Sequence, residues 1–223
     1  MKNTVRELII VGGSDQANVL YELCKTLNLS VRGFLDTKSP YDFSKFNLPV
    51  YNSINKIDKI QNYDYVAGIG HNFSRKCSLH ELRCKLDTNH FPKLIHPSAI
   101  ISPSSKIAGA VTIMANCYID TNVSIEFGSL VNVGAIISHD VKLSEFSSIA
   151  PGVKIAGNVY IGRNTQVGIG VNIIEACKIG KNAVIGAGST VVNDVSRNSL
   201  VYGTPAKLIK RLYPKNIIGN HNH

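Results

Sequence analysis

The chain has 223 residues, of which 44% are hydrophobic and only 17% charged, so it can bury a core of domain size. That charged share lies well below the roughly 25% of an average soluble protein, which excludes a long solvated helix, a coiled coil and an acidic disordered tail. The 24 Lys and Arg against 15 Asp and Glu leave +9, and with no Trp there are few platforms on which a nucleic-acid single strand stacks. Phosphate-bearing small molecules, duplexes and acidic surfaces stay open as partners. The charge is uneven: residues 1–94 hold 13 basic and 9 acidic side chains, residues 95–196 hold 6 and 6, and residues 197–223 hold 5 and none. A neutral middle argues against a nucleic-acid groove along it.

Met1 to Arg6 is polar, with no apolar stretch of signal-peptide length, and no run approaches the roughly 20 apolar residues of a membrane span. The five cysteines form no CxxC pair and no zinc-like spacing, which fits reduced, mostly buried thiols. A soluble cytoplasmic protein without membrane insertion is expected.

In chain order, an apolar strand over Glu7–Val11 runs into Gly12-Gly13-Ser14-Asp15. A helix follows, with Leu20, Leu23, Cys24 and Leu27 at three- and four-residue steps. Next come a strand over Val31–Leu35, then Asp36, and later a strand over Tyr65–Ile69 ending at Gly70-His71-Asn72. Strand, glycine turn, helix, strand and acid is the opening of a nucleotide-binding α/β unit. The loop Gly12–Ala17 lacks the full GxGxxG spacing, which disfavours NAD. Phosphates or ribose oxygens fit where these strand ends converge, above backbone N–H groups and a helix N-terminus.

From Ile95 a repeat takes over. Stepping by six from Ile95 to Val191 gives 17 positions, every one Ile, Leu or Val. The residue four later, from Ala99 to Val195, is always small or β-branched, and Cys117 and Cys177 fall there as packing residues. Period six matches neither the 3.6 of a helix nor plain alternation over this length. It predicts a solenoid of short flat strands, a parallel β-helix, with Gly, Asn and Asp at its corners.

These hexads resemble the hexapeptide-repeat acyltransferase superfamily, whose left-handed β-helix stacks three hexads per coil. Seventeen hexads then make between five and six coils. Val201-Tyr202-Gly203-Thr204-Pro205-Ala206-Lys207 resembles the family's closing motif, which leads into a C-terminal helix. A Rossmann-like domain over 1–94 ahead of a β-helix domain over 95–223 narrows the resemblance. It is similar to the bacterial sugar O- and N-acetyltransferases of the sialic acid O-acetyltransferase and bacillosamine-pathway N-acetyltransferase type. The family's first loop reads Gly-x-x-Gly-His-Gly, and here its second Gly, His and last Gly are replaced. The resemblance assigns Gly12, Gly13, Ser14, Asp36, Gly70 and Asn72 to nucleotide-sugar binding, with Ile69 to Arg75 as the matching turn.

Acetyl transfer from a thioester needs a base for the nucleophile's proton and donors for the developing oxyanion. His139 alone among seven histidines lies inside the repeat proper, at an outward corner, and Asp140 follows as an acceptor for its ring. On the residues alone, an exposed turn histidine fits equally. The resemblance places the general base on His139 and its acid on Asp140. It also places Ser148 where a second acetyl-contacting His is common, Gly157 as oxyanion donor, and Ile169 and Ala187 along the pantetheine arm. Asn132 faces the acceptor sugar, and Lys207, Lys210 and Arg211 lie near the phosphates of CoA. Ser148 departs from the pattern but keeps one hydroxyl donor. Plain turn or packing roles remain open for Gly157, Ile169, Ala187 and Asn132.

The resemblance implies a homotrimer with sites between subunits and acetyl-CoA as co-substrate, with no permanently bound cofactor and no metal. The leading expectation is an N-acetyltransferase acting by direct attack on a nucleotide-linked amino sugar for surface glycan synthesis. O-acetylation of a free or polymeric sugar such as sialic acid is the alternative, and a non-catalytic scaffold is a third reading.

Overall fold

The computed structural model describes residues 6–13, 15–37 and 43–213. The chain divides into two compact units, Met1–Leu94 and Ile95–His223. Among the described residues no helix is long and apolar enough to cross a membrane.

The first unit runs β1 (Glu7–Val11), α1 (Asp15–Thr26), β2 (Val31–Leu35), β3 (Val50–Tyr51), β4 (Tyr63–Ala67) and α2 (Asn72–Arg83). The strands pair in parallel in the order β3-β2-β1-β4. β1 buries Leu8, Ile9, Ile10 and Val11 in succession, the unbroken apolar run of a parallel strand covered on both faces. α1 turns Ala17, Leu20, Leu23 and Cys24 inward, and burial pushes the Cys24 thiol up to about 12, which makes it inert. β4 sits two residues earlier than its apolar pattern suggests. A Cβ on Gly68 would stand 2.8 Å from the Ala17 Cα, so the chain there passes hard against α1 rather than continuing the ladder.

In the second unit seventeen two-residue strands run from β5 (Leu94–Ile95) to β21 (Thr190–Val191), and the second residue of each is a hexad position. Each inner strand pairs in parallel with the strands three before and three after it, so residues 18 apart lie directly above one another. Three flat faces result. The first starts with β5, β8 and β11, the second with β6, β9 and β12, the third with β7, β10 and β13. This is the left-handed parallel β-helix expected from the hexads.

The hexad aliphatics Ile113, Ile119, Val131, Ile137, Leu143 and Ile149 show no exposed surface. The small position between them also holds hydroxyls, and these are satisfied locally: Thr165 Oγ1 donates to the Gly180 carbonyl at 2.8 Å and Ser189 Oγ to Gly186 at 2.6 Å. The corners require left-handed backbone at every sixth residue. Asn116, Asn122, Asp140, Asn158, Asn164 and Asn182 supply it, all residues that tolerate this region. Ala110, Phe146 and Ala176 adopt it against their intrinsic preference.

After β21 the chain forms β22 (Ser199–Gly203) and β23 (Ala206–Arg211), paired antiparallel at the end of the first face. The helix expected after Lys207 is therefore a strand up to Arg211. Gly203, at φ 110°, reverses the chain, and the backbone of 206–211 then spends its hydrogen bonds on β22 rather than on a helical turn. Residues 214–223, with Lys215 of the basic tail, lie outside the described residues.

Ala176 is exposed and left-handed at the same corner as Asp140 and Asn158. Ala176→Asn supplies a short polar side chain that hydrogen-bonds locally and so offsets the cost of the left-handed backbone, without glycine's added unfolded-state entropy, and is expected to stabilise the protein by about 0.5–1 kcal/mol. A higher urea midpoint with an unchanged slope checks this.

Candidate active site

His139 and Asp140 occupy the corner between the second and third faces, on the loop from β12 (Ile136–Ile137) to β13 (Lys142–Leu143). Both side chains reach solvent, at 51% and 45% exposure. The left-handed turn at Asp140, φ 58°, sets its carboxylate against the preceding ring, with Oδ2 2.9 Å from His139 Nδ1. An ionised carboxylate only accepts, so Nδ1 donates and Nε2 keeps its lone pair. The His139 bond, and then a bond from Asn122, holds the Asp140 carboxyl below its ordinary range.

Gly157 stacks on His139 one coil further along, 18 residues on. A Cβ there would fall 2.5 Å from the ring Cε1 and 2.6 Å from Nε2. The glycine is thus the floor on which the imidazole lies. Its N–H has no hydrogen-bond partner among the described residues.

The other solenoid residues singled out from sequence lie elsewhere on the same chain. Ser148 is half-buried on the first face, and Lys207 is exposed on β23 at the end of that face. Asn132, Ile169 and Ala187 lie at the corner between the first and second faces, where Ile169 is 61% exposed. Asn132 Oδ1 accepts from the Val133 N–H at 2.8 Å. One chain therefore brings Gly157 to His139 but separates Asn132, Ile169 and Ala187 from it by the width of the second face and leaves Ser148 and Lys207 on another face. His96 is absorbed locally, its Nδ1 accepting from the Ser98 N–H at 3.1 Å, as a structural turn.

The first unit carries its own cleft of about 210 Å³, at the carboxyl ends of β1 and β2. Gly12, Gly13 and Asp36 line it. Gly12 is left-handed at φ 102°, and a Cβ on Gly13 would fall on Asp36 Oδ2 and the Phe43 ring, so neither glycine is replaceable without movement. Ser14 lies outside the described residues. Gly70 and Asn72 serve the buried Arg75 instead of the lining: Arg75 donates to the Gly70 carbonyl at 2.8 Å and to Asn72 Oδ1 at 2.8 Å. Burial lowers the Arg75 guanidinium to about 10. Ser74, Ser78 and Glu81, unmarked by sequence reasoning, complete the cleft from one face of α2. Their four- and three-residue steps were a readable signal.

Residues 7–82 match the family described as the PglD N-terminal domain, and residues 158–193 match the bacterial transferase hexapeptide (six repeats). Among solved structures, the chain is similar to the acetyltransferase domain of PglB from Neisseria gonorrhoeae FA1090. The two share 27% identity at a TM-score of 0.85, over 92% of this chain and all of that one. A second structure of that domain holds acetyl coenzyme A. PerB from Caulobacter crescentus, in complex with CoA and GDP-perosamine, is 26% identical at a TM-score of 0.83, over 93% of this chain and 99% of that one. WeeI from Acinetobacter baumannii AYE, at 20% identity and a TM-score of 0.79 over 91% and 99%, shares the fold. The first unit thus matches a PglD-type domain and the second the hexapeptide repeat, and the chain along most of its length is similar to acetyltransferases that act with CoA.

Gly157→Ala is expected to displace the His139 ring and cut turnover at least about tenfold, since a misplacement near 1 Å at the reacting groups costs that much or more. An unchanged melting temperature with near-normal turnover would contradict the packing of ring on glycine.

Proposed function

We propose that the chain is an acetyl-CoA-dependent N-acetyltransferase that acetylates the amino group of a nucleotide-linked amino sugar in surface glycan synthesis. The observation that carries this reading is the His139 ring, bonded to Asp140 through Nδ1 and lying on Gly157. The PglB domain with acetyl coenzyme A and PerB with CoA and GDP-perosamine support the choice of both substrates.

In the proposed mechanism the neutral amine nitrogen attacks the thioester carbonyl carbon while His139 Nε2 takes its proton. Asp140, held ionised, stabilises the imidazolium that forms. The carbonyl oxygen gathers negative charge toward the Gly157 N–H. The C–S bond then breaks, the electron pair leaves with the CoA sulfur, and His139 returns the proton to that thiolate. No acyl-enzyme forms.

A homotrimer accounts for the split placement. His139 and Gly157 border one edge of the second face, while Asn132, Ile169 and Ala187 border the other. That face exposes Tyr118 and Ile136. Setting the second face of one copy beside the next joins the two edges into one site, with Ser148 and Lys207 on the CoA side. The cleft holding Gly12, Gly13 and Asp36 then takes the nucleotide.

His139→Ala is expected to lower kcat by about 10² or more with the fold intact, and near-normal turnover removes the assignment. Sedimentation equilibrium is expected to give three times the chain mass. Isothermal titration with UDP-, GDP-, dTDP- and CMP-sugars is expected to give heat with at least one. Silence with all of them turns the reading to O-acetylation of a free or polymeric sugar.

A further inference from the structure

We infer that Asn122 is a positioning residue that acts on His139 through Asp140; the inference rests on the reading of His139 as the base. Asn122 lies 18 residues before Asp140, directly beneath it in the stack, and its Nδ2 donates to Asp140 Oδ1 at 3.3 Å. The other carboxylate oxygen, Oδ2, accepts from His139 Nδ1 at 2.9 Å. The two acceptors of one carboxylate are thus divided between an anchor below and the imidazole beside it. Orientation of the amide is settled by chemistry, because a carboxylate accepts and only the NH₂ side donates.

Asn122 is itself fixed by its surroundings. Its backbone N–H donates to Ser104 Oγ at 3.0 Å, and Ser104 Oγ lies 3.1 Å from Ser102 Oγ. A chain of contacts therefore runs from Ser104 through Asn122 and Asp140 to His139, across three successive coils. Asp140 is 45% exposed, and its two carboxylate oxygens are held by the hydrogen bonds from Asn122 and His139. Without the anchor its carboxylate is free to rotate toward water, and the ring loses what sets its tautomer and plane. The acidic groups at this corner besides Asp140 are Asp120, whose Oδ1 accepts from the Thr121 N–H at 2.7 Å, Glu175, two coils beyond His139 in the same column, and Asp194, three coils beyond Asp140, whose Oδ1 accepts from the Lys178 N–H at 2.7 Å. Ala at this place, as at Ala176 in the same column, keeps the turn but supplies no donor.

The test is a double-mutant cycle between Asn122→Gly and Asp140→Ala, in the full chain. Glycine keeps the left-handed turn that Asn122 adopts at φ 58°, so the change removes the donor and not the corner. Alone, Asn122→Gly is expected to lower kcat about threefold to tenfold at unchanged KM for acetyl-CoA, the size of one ordinary intramolecular hydrogen bond. In the Asp140→Ala background the same change is expected to have no further effect on kcat. An equal loss in both backgrounds overturns the proposal, because a merely structural role acts regardless of Asp140.

A second readout does not depend on activity. The ¹⁵N shifts of the His139 ring in histidine-labelled protein report which nitrogen carries the proton. The Nδ1–H form is expected to dominate in the native chain and to lose population in Asn122→Gly. Unchanged shifts overturn the positioning role. If His139→Ala retains turnover while Asn122→Gly still moves the ring shifts, the function reading fails and the coupling stands.

Discussion

The 18-residue parallel ladder is the constraint from which the second unit's properties descend. Backbone N–H groups of one coil donate to carbonyls of the adjacent coils, as in Ser138 to Ile155 on the coil after and Asp140 to Thr121 on the coil before, at 2.9 and 3.0 Å. Such a ladder leaves no freedom of register. A side chain at a corner finds its neighbours at plus and minus 18 whatever the intervening sequence, and the aliphatic hexads lock this by filling the interior without polar atoms.

The site is a use of that register. His139 stands between Thr121 on the coil before it and Gly157 on the coil after it. The missing side chain at 157 is what lets the ring lie flat on the surface and not project from it. Asp140 takes the left-handed corner, which intrinsically favours Gly, Asn or Asp; of these only Asp offers a carboxylate to a neighbouring ring. The turn requirement and the chemical requirement are therefore met by one residue. Because both groups are about half exposed, their mutual attraction is screened, and geometry rather than Coulomb energy orients the ring.

The first unit follows a different rule. There the cleft gathers at the carboxyl ends of parallel strands, beside the glycine turn after β1, with part of its wall from α2. Arg75 shows how much of such a loop is scaffolding: its buried guanidinium ties the Ile69 and Gly70 carbonyls and the Asn72 side chain together at 2.8–3.1 Å. Residues that look like ligand contacts in sequence are here consumed in holding the turn.

By itself the sequence determined what is local and periodic. Seventeen hexad aliphatics foretold seventeen strands, the apolar runs foretold β1 and β2, and adjacency foretold the His139–Asp140 pair, because a period and a neighbour are both properties of consecutive residues. The tertiary structure alone decided what depends on stacking and on side-chain direction. Asn122 read as a turn residue until the coil length placed it under Asp140. Gly157 followed from resemblance as a donor, but its role as the floor beneath the ring needed the ring's position. The segment after Lys207, expected to be a helix, became β23 because β22 offered its backbone a ladder. Ser74, Ser78 and Glu81 reached the cleft through the way α2 turns, and Asn132, Ile169 and Ala187 were separated from His139 because three faces divide one chain's corners.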